Sequence, residues 1–70
     1  MDVDLDKLFL YRRKAGLTQK EVAQILGFKA GLTYQRIEKG LRPLRASHLL
    51  ILAQVYGVPL SDLIKEREVV

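Results

Sequence analysis

Apolar residues recur along this chain at helical spacing. Leu5, Leu8 and Phe9, followed by Arg12, lie on one stripe behind a capping Asp2 or Asp4, and Gly16 ends the run. Thr18 and Glu21 stand at capping-box spacing and open a second helix whose inward stripe is Val22, Ala23 and Leu26, up to Gly27. Phe28 to Gly31 form a connection. Tyr34 and Ile37 then mark a third helix, about 31–39, closed by Gly40. Leu41 to Leu44 must be a loop, because the residue before Pro43 is pushed out of helical geometry. A fourth helix runs from Arg45 or Ala46 to Tyr56, with Leu49, Leu52, Ala53 and Tyr56 on one face. Gly57 stops it, and Pro59 resets the chain for a last helix holding Leu60, Leu63 and Ile64.

No segment alternates with the period of two that marks a half-buried strand. The expectation is therefore an all-α fold, a compact bundle of about five short helices forming a single domain over 1–70 with its core in 5–65. Helix four is apolar most of the way round, since Leu50, Ile51 and Val55 fall off its main stripe, and such a helix is buried on several sides. With 49% apolar and 29% charged residues, the 70-residue chain has the composition of a folded globule. It contains no cysteine, which removes disulfides and thiolate metal sites and leaves a cytoplasmic location as the expectation. Acids precede the first apolar stretch, and the run Leu49 to Ala53 is too short to span a bilayer, so no targeting or membrane segment is expected.

Charge is unevenly spread. Lys29, Arg36, Lys39, Arg42 and Arg45 face a single acid, Glu38, so this window holds the equivalent of the whole net charge of +4. A local excess of that kind points to a polyanionic partner. Catalysis is not expected. His48, read as a surface residue, is the one histidine, and Ser47 beside it on a helix would not face it. The glycines stand singly at helix ends rather than in a phosphate loop. No cofactor and no metal are called for.

The stretches YRRKAGLTQKEVAQILGF, QRIEKG and LLILAQVYGVPLSDLI, in this order between about Leu8 and Ile64, make the chain resemble the phage-repressor and Cro-like (XRE) helix-turn-helix family. The resemblance implies a lambda-repressor-like fold in which helices two and three form the helix-turn-helix, and a sequence-specific transcriptional regulator or repressor of double-stranded DNA. It also implies an ion pair between Arg12 and Glu38, a phosphate contact at Gln19, and a reading helix in the major groove whose principal readers are Gly31, Leu32 and Arg36, with Thr33 at its edge. Gln35 is read as outward-facing beside them, while Lys29, Lys39, Arg42 and Arg45 suit phosphate anchoring. One departure is visible: Gly27 to Tyr34 is one residue longer than the family spacing. A homodimer is expected, with Leu50, Ile51, Val55, Leu63, Ile64, Val69 and Val70 as candidate contacts. The competing expectation is a protein-interaction or antitoxin-like module, with Leu32 and Tyr34 as exposed anchors.

Overall fold

The computed structural model describes residues 2–65, which run as β1 (Asp2–Val3), α1 (Leu5–Lys14), α2 (Gln19–Ile25), α3 (Gly31–Glu38), α4 (Ala46–Tyr56), a 3-10 turn (Leu60–Leu63) and β2 (Ile64–Lys65). Local chemistry sets the helix ends. The Asp4 carboxylate accepts from the Lys7 N–H at 3.2 Å, and Arg12, Arg13 and Lys14 occupy the last turn of α1, where the helix dipole favours cations. At α2 the box is reciprocal: the Glu21 N–H donates to Thr18 Oγ1 at 3.1 Å, and the Thr18 N–H donates to Glu21 Oε1 at 3.0 Å. The Thr18 backbone N–H first, and the Thr18 hydroxyl second, hold the Glu21 carboxyl below its ordinary range.

Leu8 of α1, Val22 and Ala23 of α2, Leu26, Tyr34 and Ile37 of α3, and Leu49, Leu52 and Ala53 of α4 form one core, joined by Leu63 of the 3-10 turn. Tyr11 extends it at the edge. Its ring stacks on Tyr56, with centroids 6.1 Å apart, and its hydroxyl donates to Asp62 Oδ2 at 3.0 Å. Phe9, expected on the inner stripe, is instead 51% exposed, with the guanidinium groups of Arg12 and Arg13 at 5.3 and 5.8 Å from its ring. The inner arc of α1 runs through Tyr11 because the helix packs against both α3 and the 3-10 turn.

The fifth helix is replaced by a single 3-10 turn, and Ile64 leaves it to pair with Val3 in a two-stranded antiparallel ladder where Asp2 opposes Lys65. The Asp4 N–H also donates to the Leu63 carbonyl at 2.9 Å, so the segment before α1 captures the backbone that a further helical turn would have used. Strands of two residues carry no periodicity for a sequence to display. Leu63, expected at a subunit contact, is fully buried in the core of its own chain and cannot reach a partner. Ile64 is half-buried in β2, and Val69 and Val70 lie outside the described residues. Leu50, Ile51 and Val55 of α4 remain 52, 36 and 41% exposed, so nothing within the described residues buries this side of the helix.

Candidate nucleic-acid interface

The connection between α2 and α3 begins with Gly27 at φ 83°, a conformation that costs glycine little, and is tied back by the Phe28 N–H donating to the Ala23 carbonyl at 2.9 Å. Helix α3 then starts at Gly31, behind an extended Ala30 that offers no side-chain cap.

Burial divides α3 into two sides. Tyr34 and Ile37 are buried against the core, whereas Leu32 is 52% exposed and Arg36 is also exposed. Thr33 and Gln35 are half-buried between them, and Lys39, at the C-cap, is exposed. Since Tyr34 is inaccessible, the pair of exposed anchors expected for a protein-interaction module reduces to Leu32 alone. Gly31 requires a correction as well. Read from the sequence as outward-facing, it is half-buried against α2, and a Cβ placed there would stand 3.4 Å from Lys20 Cα and 3.6 Å from Lys20 Cγ. The Lys20 stem thus lies over the first position of α3, at ordinary contact distance from where a methyl group would stand. Lys20 is exposed and was missed from the sequence, because it lies outside the basic window counted there.

Glu38 joins three helices at the far end of α3. Arg12 Nε donates to Glu38 Oε2 at 2.6 Å and Arg12 Nη2 to Oε1 at 3.2 Å, while Nη1 donates to the Leu17 carbonyl at 2.9 Å. The two side chains are 8% and 5% exposed. Contact with Glu38 raises the Arg12 pKa, against burial, which lowers it. Gln19 is half-buried, and its Nε2 donates to Glu38 Oε1 at 3.3 Å, so its amide is turned toward the ion pair. Beside this network the Tyr34 hydroxyl is held far above the phenol range, by burial first and by neighbouring Tyr56 and Glu38 next. The Tyr34 and Tyr56 hydroxyls are buried close to each other and to Glu38, and neither makes a well-aligned hydrogen bond.

The remaining cations surround the turn and the loop. Lys29 is exposed in the turn, Arg42 is exposed in the loop after α3, and Arg45 is exposed at the N-cap of α4. Arg42 and Arg45 line an open cleft of about 380 Å³ together with Leu26, Gly27, Phe28, Pro43 and His48. The Arg42 guanidinium carbon lies 5.8 Å from the Phe28 ring centroid, and the His48 ring meets Phe28 edge-on at 4.9 Å. His48 is therefore half-buried rather than a plain surface residue, with Nδ1 enclosed and unpartnered. Only the turn spacing near Phe28 hinted at this cluster in the sequence. Among the described residues, no group of three or more His, Cys, Asp or Glu side chains could hold a metal, and no helix is long and apolar enough to cross a membrane.

Two short helices joined by a glycine turn, the second half-buried and half-presented, define a helix-turn-helix domain. The helix-turn-helix family model of the Cro/C1 type, the XRE family, matches residues 8–63, and the chain belongs to this DNA-binding family. Comparisons with curated proteins and with solved structures returned no match.

Proposed function

We propose that the chain is a sequence-specific transcriptional regulator of double-stranded DNA, acting in the cytoplasm, that lays α3 in the major groove. The observation that carries this reading is the division of α3: Tyr34 and Ile37 fix the helix to the core while Arg36 and Leu32 stay presented. Arg36 is assigned the main reading role, since a guanidinium donates two bonds to guanine O6 and N7, worth about 1–3 kcal/mol of discrimination. Leu32 packs on a thymine methyl, and Thr33 and Gln35 contribute from the edges. Lys29, Lys39, Arg42 and Arg45 anchor phosphates, which fixes register without reading sequence. Gln19 takes part through its position at the start of α2, its side chain shared with Glu38.

One domain covers few base pairs, so a two-fold dimer is assigned, with recognition helices about 34 Å apart. Leu50, Ile51 and Val55 are its contact residues: an exposed apolar stripe on α4 suits a second copy of the same stripe.

Selection of bound sequences from random duplex DNA tests the reading, repeated with Arg36→Ala. Loss of one base preference is expected, together with a log-log salt slope near −3.6 per subunit for four phosphate-binding cations at about 0.9 each. Equal enrichment of all sequences by both proteins would refute base reading by α3. Sedimentation as a monomer both free and on DNA would refute the dimer.

A further inference from the structure

Phe28 has a position that the assignment of DNA contacts does not use. Its backbone is fixed by the bond from its N–H to the Ala23 carbonyl, in the turn between α2 and α3. Two other segments converge on its ring: His48 from the first turn of α4, edge-on at 4.9 Å, and Arg42 from the loop after α3, at 5.8 Å. The ring therefore ties the turn that launches the recognition helix to the loop that carries the phosphate-binding cations.

We propose that Phe28 is a positioning residue that holds the Arg42 guanidinium ready for a DNA phosphate and so sets the register of α3 against the backbone. The inference rests on the DNA-binding reading above. A long arginine side chain loses rotamer freedom when it binds a phosphate, and a guanidinium already held over a ring has less to lose. An arginine also suits this geometry better than a lysine, because a planar guanidinium can lie over a ring and keep its edge for a phosphate.

The test is a double-mutant cycle on duplex affinity at fixed salt, using the intact chain. Phe28→Leu, which keeps an apolar side chain but removes the ring, is expected to weaken binding by about two- to fivefold, the value of an exposed cation–π contact. In an Arg42→Ala background the same substitution is expected to change affinity by less than half of that, and Phe28→Tyr, which keeps the ring, to bind as the parent does. Equal loss with and without Arg42 would make Phe28 a merely structural residue and overturn the proposal. Should Phe28→Leu fail to fold, side-chain relaxation at Nε in the parent protein decides. Arg42 is expected to be more ordered than Arg36, and equal mobility overturns the proposal. If the parent binds no duplex even in dilute buffer, the DNA-binding reading fails and takes this inference with it. A parent that binds while the cycle is additive sinks the inference alone.

Discussion

Replacing Glu38 by alanine should be the most damaging single change at the polar end of α3. The carboxylate accepts three hydrogen bonds, two from Arg12 and one from Gln19, and it lies only 5% exposed against an arginine side chain 8% exposed. Alanine would leave the Arg12 guanidinium enclosed with only the Leu17 carbonyl for company. Orphaning one partner of a buried pair costs about 3–5 kcal/mol, because desolvation of the remaining charge is no longer offset. A natural domain holds roughly 0.05–0.15 kcal/mol per residue, about 3.5–10 kcal/mol for a chain of this length, so the variant should be near the limit of folding. Urea unfolding followed by circular dichroism would measure it, with Asp6→Ala, an exposed carboxylate in the first turn of α1, as the control. The double variant Arg12→Met/Glu38→Leu separates the two sources of cost. If the orphaned charge is the cause, the apolar pair should recover most of the loss. A Glu38→Ala loss no larger than that of Asp6→Ala would refute the reasoning.

Two further outcomes follow from the titrating groups. The Glu21 carboxyl is held below its ordinary value of 4.5, so its contribution is fully present above that value and is lost as pH falls through the lower folded value. Acid unfolding of Glu21→Gln should accordingly begin at lower pH relative to its own neutral stability than that of the parent, and superimposable normalised profiles would count against the capping box. Tyr34 works in the opposite direction. Its raised pKa means the neutral phenol is favoured by folding, so this contribution is intact below pH 10.0 and declines as pH rises above it. Its buried hydroxyl makes no well-aligned hydrogen bond, so Tyr34→Phe should cost less than about 1 kcal/mol at neutral pH and blunt the alkaline loss; a larger loss would reveal a hydrogen bond at the hydroxyl.

Helices α1 to α4 were legible because their signals are local. A capping box at Thr18, paired inward residues at Tyr34 and Ile37, and glycines after the last periodic position each act within one or two turns. What the sequence withheld depends on neighbours distant along the chain. The inward place of Tyr11 in preference to Phe9 follows from a bond to Asp62, and the extended state of Ile64 follows from Val3 at the other end of the described chain. The core position of Leu63 could not be told from that of a contact residue, since an apolar stripe looks the same whether its own chain or another covers it. At the interface the same limit applies. The sequence showed five cations close together, but not that the Arg42 guanidinium lies over the Phe28 ring or that the Gln19 amide turns inward to Glu38.

Gly31 shows why the start of a recognition helix cannot be read position by position. A side chain absent there looks like a vacancy facing the groove, yet the Lys20 stem flanks that site at ordinary contact distance, so the position faces α2 as much as it faces outward. Gly31 has no side chain and Ala30 before it no polar group, so the first polar side chain that α3 offers is Thr33. Under the proposed docking, sequence discrimination must then come from further along, at Leu32 and Arg36, while the start of the helix is left to backbone approach and to whatever charge Lys20 brings from the neighbouring helix.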